Sequence, residues 1–258
     1  MEVRLLSPAL TVPKKRLIRI DFEWNPQLAY AIGLITTDGN LSKDKRHISL
    51  TSTDKDLLTT FRDCLGKRNH ITKDLKSSIS LKQAYRVQFG DVVLYDWLVK
   101  IGLHANKSLT IGPLQIDERY FRDFLRGHLD GDGSIIHYID RYNTPLNPKY
   151  IYERLFVYFM SASEKHILWL RKTITKLKSI SGSINKRVPK NKNYSNFFVL
   201  KFSTKEAKKL LNWMYYKPNL PCLKRKYKIA KPFLSSAQVR SQLQIARVEC
   251  GRRKQIVR

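Results

Sequence analysis

The sequence is poor in acid. Of its 258 residues, 21 are Asp or Glu against 49 Lys or Arg, a formal net charge of +28 at pH 7. Such an imbalance destabilises a compact chain by self-repulsion unless a polyanion relieves it, and nucleic acid is the polyanion that fits best, because many cations displacing condensed counterions give strong, salt-dependent binding. Cysteine is nearly absent: Cys64, Cys222 and Cys250 stand far apart, which suggests neither a zinc spacing nor a disulfide framework and leads us to expect a reducing, intracellular compartment. There is no apolar run of about 18 residues to span a bilayer, and no short apolar core after the N-terminal basic residues to act as a secretory signal. No membrane partner is therefore expected. What the chain does have is 42% apolar content, enough for a substantial core in one large domain or two smaller ones.

Read along its length, the sequence states one plan twice. In "WNPQLAYAIGLITTDGN", Asn25 is an N-cap and Pro26 a first helical residue, followed by apolar Leu28, Ala31, Ile32 and Ile35 and a stop at Asp38-Gly39. "HISLT", "SSISLK" and "YRVQF" alternate with a period of two and predict half-buried strands, while "DKDLLTTFRDCLG" and "DVVLYDWLVKIGL" carry helical spacing closed by Gly66 and Gly102. The second half repeats this order. Asp117 caps "ERYFRDFLRGHLDGDGS", strands follow at "RLFVYFM" and "NFFVLKF", and helices at "SEKHILWLRKTITKLKS" and "TKEAKKLLNWMYY". Gly33, Asp38 and Gly39 map onto Gly127, Asp132 and Gly133 at a shift of 94; Asp54, Leu57 and Leu58 map onto Glu164, Ile167 and Leu168 at 110; Val87 and Phe89 map onto Leu200 and Phe202 at 113. The shift grows mainly in "IDRYNTPLNPKYIYE", an insertion in the first hairpin of the second half. A period near 100 residues marks a duplicated domain. The expected boundaries are 1–112, 113–234 and a basic extension, 235–258, read as a helix.

Against this basic background, "DGDGS" at Asp130 to Ser134 concentrates negative charge. Each half ends its first helix in Asp-Gly, where the last carbonyls and the macrodipole already present negative character. The small-residue spacing of Ala29, Gly33 and Thr37, and of Asp123, Gly127 and Gly131, lets two backbones approach with Gly33 and Gly127 at the helix interface. Two aspartates brought together that way call for a divalent cation, and oxygen ligands without Cys or clustered His suit Mg²⁺ better than zinc. Such a site fits phosphodiester cleavage. A solvated turn is the plain alternative for "DGDGS". An EF-hand is excluded, since Ile135 and Arg141 occupy the positions where its loop needs Gly and Glu.

"AIGLITTDG" (Ala31 to Gly39) and "LRGHLDGDG" (Leu125 to Gly133) resemble the LAGLIDADG motif of homing endonucleases, present twice, and the resemblance covers roughly residues 24 to 233. It implies an α+β fold of two tandem αββαββα half-domains related by a pseudo-two-fold axis, with motif helices at about 26–38 and 118–132 and saddle-shaped antiparallel sheets on a DNA face. It implies a functional monomer cutting both strands of a long asymmetric DNA duplex, the gene being carried in an intron and the protein residing in a bacterial cytoplasm or an organelle. An RNA-binding maturase acting on its own intron RNA, or a DNA-binding protein of the same fold without cleavage, is the alternative.

The family pattern makes Asp38 and Asp132 the metal ligands, joined by the backbone of Thr37 and Gly131, with Mg²⁺ as cofactor and Mn²⁺ or Ca²⁺ able to occupy the same sites. Asp130 is read as auxiliary, Thr36 standing in its place in the first copy. Lys107 and Lys226 match the basic residue near the cleavage site, polarising water or stabilising the phosphorane charge, although Lys224, Arg225 and Lys228 surround Lys226. Expected DNA contacts are Ser42, Lys43, Lys45, His47, Ser49, Thr51, Ser78, Ser80, Lys82, Arg86 and Gln88 in the first half. In the second they are Ser134, His137, Arg141, Asn143, Arg154, Asn185, Arg187, Lys190, Lys192 and Lys201. Polar side chains opposite the apolar strand positions can read base edges while lysines hold phosphates; for any one of them a merely solvated strand face is the bland reading.

Overall fold

The computed structural model describes residues 22–74, 82–189, 191 and 195–235. The first half runs α1 (Pro26–Thr37), β1 (Gly39–Leu41), β2 (His47–Ser52), α2 (Lys55–Cys64), β3 (Ile71–Lys73), β4 (Tyr85–Gly90) and α3 (Val92–Lys100). The second runs α4 (Phe121–Asp130), β5 (Ser134–Asp140), β6 (Tyr152–Ser161), α5 (Glu164–Lys178), β7 (Ser183–Arg187), β8 (Phe197–Ser203) and α6 (Thr204–Met214), followed by a short helix, α7 (Lys224–Ala230). Both sheets are antiparallel, in the orders β1-β2-β4-β3 and β5-β6-β8-β7. The duplication seen in the sequence is thus a duplication of topology.

Local chemistry sets most boundaries. The Asn25 Oδ1 accepts from the Leu28 N–H at 2.9 Å to open α1, and Asp91 does the same for Leu94 at the start of α3. Gly66 and Gly102, at φ 62° and 108°, turn the chain after α2 and α3 in a region that favours glycine. Asp117 behaves differently from expectation. It caps Arg119, opening a 3-10 turn over Glu118–Tyr120, so that α4 begins only at Phe121 and ends at Asp130. The Asp117 carboxylate is drawn toward the Arg119 guanidinium, and a rigid ion pair there fixes a turn rather than the first helical residue. The strand expected at "SSISLK" falls mainly on residues outside the described ones, as does the helix expected after 235; the strand that pairs with β4 is Ile71–Lys73.

The sheets turn alternate residues inward. Ile48, Leu50, Val87 and Phe89 in one half, and Leu155, Val157, Phe159, Leu200 and Phe202 in the other, are buried against helices. Between the two sheet-helix layers stand α1 and α4, side by side. Every residue of α1 from Leu28 to Thr36 is buried, because the helix is covered by its own half on one side and by α4 on the other. The linker is held down as well, the Ser163 hydroxyl donating to the Ile111 carbonyl and the His166 ring to that of Gly112. Among the described residues no helix is long and apolar enough to cross a membrane.

The contact between α1 and α4 is a backbone contact. A Cβ placed on Gly33 would stand 2.2 Å from the Phe124 carbonyl oxygen, and one on Gly127 would stand 2.0 Å from that of Tyr30. No side chain fits at either position. Relief would require the helices to separate, opening voids along a fully packed seam. We expect Gly127→Ala to cost about 3 kcal/mol of stability, measured as a lowered urea midpoint; an unchanged midpoint would show that the helices do not approach this closely.

Candidate active site

The close approach of the two helices brings their C-terminal ends together. Asp38 is the C-cap of α1, its N–H bonded to the Leu34 carbonyl, and Gly131 closes α4 with its N–H on the Gly127 carbonyl. A Cβ on Gly131 would fall 1.9 Å from the Thr37 Oγ1 and 3.2 Å from the Asp38 Oδ2, so the end of one helix rests on the end of the other. Asp132 follows Gly131 directly. Both carboxylates keep a solvent-facing side, yet the crowded junction strips enough water to push Asp38 up to about 6, and the Asp132 charge pushes the same way. Asp132 is raised too, by burial, while Lys226 and Lys107 pull both acids down.

Those lysines belong to opposite halves. Lys107, in a 3-10 turn after α3, is buried and its ammonium donates to the Gly39 carbonyl just beyond α1. Lys226, on α7, is buried at the end of α4. Its Nζ donates to the carbonyls of Leu129 at 2.6 Å, Gly133 at 2.7 Å, Asp130 at 2.8 Å and Gly131 at 3.2 Å. Burial lowers each to about 8, against the acids that hold the proton on. The sequence left four basic residues in competition here. Geometry separates them, because Lys224 and Arg225 turn outward to Asp56 and Asp54 at the start of α2, at 3.1 and 3.0 Å, and only Lys226 turns in.

Lys226 meets the last carbonyls of α4 and Lys107 a carbonyl just beyond α1, and these ammonium groups answer the electrostatic objection to acids at the helix ends. The two lysines are not equivalent. Three N–H donors shared among four carbonyls leave Lys226 none to spare, so its charge reaches the acids through space, whereas Lys107 has a single carbonyl partner among the described residues.

Residues 25–91 match the LAGLIDADG-like domain. The chain is similar to the I-LtrWI LAGLIDADG homing endonuclease bound to target DNA, with 14% identity, a TM-score of 0.51 and coverage of 85% of this chain and 96% of that one. It also superposes on the meganuclease I-SmaMI bound to uncleaveable DNA, with 11% identity, a TM-score of 0.52 and coverage of 83% and 88%. The chain has the LAGLIDADG fold. Full-length DUF199/WhiA from Thermatoga maritima is similar at 17% identity and a TM-score of 0.48, over 91% of this chain and 70% of that one. No curated protein matches the sequence.

Within this LAGLIDADG fold the second motif carries supports that sequence reading missed. Asp130 is wholly buried and accepts from the Tyr30 hydroxyl at 2.8 Å and the Leu223 N–H at 2.7 Å, tying α4 to α1 and to the entry of α7. Its counterpart Thr36 satisfies itself on the Ile32 carbonyl. Arg126 is also buried, donating to the carbonyls of Met214 and Pro221 and to Asp123. Asp123 therefore belongs to an ion pair rather than to the small-residue seam, where Phe124 takes its place. Nothing in the spacing of an arginine or aspartate announces such a partner.

The positions expected to contact nucleic acid fall mostly on one face of each LAGLIDADG sheet. In the first, Ser49 lies opposite Gln88 and Thr51 opposite Arg86, with His47 along the same face; the Arg86 guanidinium donates to the Ser49 hydroxyl at 3.1 Å. Ser42, Lys43 and Lys45 form the β1–β2 turn, and Lys82 precedes β4. In the second sheet Ser134, Arg154, Asn185, Arg187 and Lys201 share a face, Arg154 pairing with Asp140 at 3.0 Å. Arg141 and Asn143 lie in the β5–β6 loop. His137 is the exception. One residue out of phase with Ser134, it projects from the opposite face and packs edge-on to Phe233 at 4.9 Å. Ser78, Ser80, Lys190 and Lys192 lie outside the described residues.

Behind the α4 end two histidines stack, His128 and His166, at 5.2 Å between centroids. The His166 Nδ1–H donates to the Gly112 carbonyl, so its Nε2 accepts from the His128 Nε2–H at 3.1 Å, leaving the His128 Nδ1 buried without a partner. Burial holds His166 down at about 4; it lowers His128 as well, with His166 and Lys226 adding to the effect. Both are neutral when folded, and the unfolded chain binds protons first as pH falls below about 6.5. The stability that neutral His166 contributes should be full above that value and fall by about 2 kcal/mol near pH 5, with His128 acting in the same direction. Urea midpoints across this range check it, and His166→Phe should flatten the slope.

Proposed function

We propose that this protein is a site-specific endonuclease that cuts both strands of a long, asymmetric DNA duplex, working as a monomer whose halves play the parts of two subunits. One observation carries the reading: Asp38 and Asp132, from opposite halves, converge at the crossing of α1 and α4 with Lys107 and Lys226 behind them. A structural turn has no use for two acids whose pKa values burial raises, Asp38 being pushed further by the Asp132 charge. Support also comes from the basic balance of the chain and from sheet faces rich in hydrogen-bonding side chains.

The donor set fits Mg²⁺. Two carboxylates and helix-end carbonyls would leave the remaining positions to phosphate oxygens and water. Asp38 and Asp132 would be the carboxylate ligands, with the carbonyls of Thr37 and Gly131 beside them. When bound, the cation supplies activation of the attacking water and charge for the departing 3′ oxygen. The chain's own residues do the rest. The sheet faces and flanking lysines fix the duplex, the Gly33–Gly127 seam holds the acids in register, and the spare donors of Lys107 face charge that develops on the phosphoryl oxygens.

Supercoiled plasmids carrying the uninterrupted DNA that flanks the gene should be linearised in Mg²⁺ and left intact in EDTA. Asp38→Asn and Asp132→Asn should each lower the rate by about 100-fold or more while leaving duplex binding in place. Duplex or RNA binding with no metal-dependent cutting by the wild-type chain would overturn the nuclease reading in favour of a binding protein or maturase.

A further inference from the structure

The two sheet faces that flank the acid pair occupy equivalent places in the duplicated fold, yet only the second carries a cluster of apolar side chains. The first presents His47, Thr51, Arg86 and Gln88, while Ser49, expected to contact DNA, is buried beneath the Arg86 guanidinium. The counterparts of these in the second are Phe156, Tyr158, Met160, Val199 and Lys201, and Ile136, Tyr138 and Tyr152 of the longer hairpin extend the apolar part of a face that also holds Ser134, Arg154, Asn185 and Arg187. Their register is fixed by pairing, Ile136 opposite Phe156 and Tyr158 opposite Ser134, so they share one surface and cannot turn inward. The inward positions of the same strand, Leu155, Val157 and Phe159, are already fully buried. An antiparallel sheet with one face on a core ordinarily shows polar residues on the other. Here Ile136, Tyr138 and Tyr152 stand 44–47% exposed, and Phe156 lies 6.0 Å from Tyr158 and 6.3 Å from Tyr138 between ring centroids.

An apolar surface of this kind needs a cover, and its surroundings say which. Lys201 lies over the Phe156 ring at 4.1 Å, Arg187 and Asn185 line the next strands, and the face's one acid, Asp140, is taken by Arg154. A cationic rim around an apolar floor suits a polyanion whose inner surface is apolar. In a DNA major groove the only apolar feature on a base edge is the thymine C5-methyl group. The duplicated topology gives the polar face of the first half the equivalent place on the other side of the acid pair, and a single duplex would cover both.

Resting on the endonuclease reading above, we infer that the second half is a thymine-methyl reader: the half-site under β5, β6 and β8 is rich in A·T pairs recognised by apolar contact, whereas the first half reads its half-site by hydrogen bonds. Each methyl covered by Phe156, Tyr158 or Ile136 contributes about fourfold in affinity, and several together set the specificity of that half. The sheet that most needs a partner thus gains one from its substrate.

The test uses the full chain and a random duplex pool. Sequences selected for binding without Mg²⁺ should be A·T-enriched in one half-site, while the other half-site is selected without dependence on the thymine methyl group. Deoxyuridine in place of thymidine removes only the methyl group, and in the enriched half it should weaken binding tenfold or more, while in the other half it changes binding less than twofold. Phe156→Ser should erase the A·T preference of that half alone. Equal losses in the two halves, no loss in either, or tighter binding of single-stranded RNA than of any duplex would overturn the inference. Failure to bind any duplex would instead overturn the endonuclease reading on which it stands.

Discussion

The structure depends on the approach of two helix backbones at Gly33 and Gly127. With a carbonyl oxygen 2.0–2.2 Å from where each Cβ would be, the seam admits no side chain, and so it sets the distance between the halves to within what a single methyl group would destroy. Everything at the helix ends inherits that constraint. Asp38 meets Gly131, Asp132 follows it, and burial at the junction raises both acids, the Asp132 charge adding to the effect on Asp38.

That arrangement is tolerable because it is countered from behind. A helix C-terminus repels a carboxylate, and two of them repel two carboxylates more. Lys107 and Lys226 place buried ammonium groups on the carbonyls beyond α1 and α4, each held cationic by the acids it faces and each made less basic by its burial. Removing either charge would leave buried carbonyls and a crowded acidic site without compensation.

Duplication has not kept the halves alike. The second carries the scaffold: Asp130 bonds to Tyr30 and Leu223, Arg126 is enclosed, the histidine pair backs the helix, and α7 is added to deliver Lys226. The first carries a self-satisfied Thr36 where Asp130 would be and a lysine with fewer obligations. Their sheets diverge as well, polar in the first half and mixed aromatic and basic in the second. A single chain can diverge in this way because each half folds beside a fixed neighbour rather than a copy of itself.

Much of this was legible in the residues. Alternating strands, capped helices and the repeated Asp-Gly ends determined the order of elements, the pairing of halves and the glycines of the seam, because these follow from local periodicity and from steric needs that glycine alone meets. Identity at a position could not say what a long side chain reaches. Lys226 is one of four neighbouring basic residues, His137 differs from Ser134 only in phase, and Asp130 resembles any acid of a turn; burial, face and partner for each were decided by packing between segments about 100 residues apart. The sequence alone determined which groups were present and how each half would fold, since those are local matters. Only the tertiary structure decided which groups meet, because a close backbone crossing and a late helix bring together charges that no spacing along the chain connects.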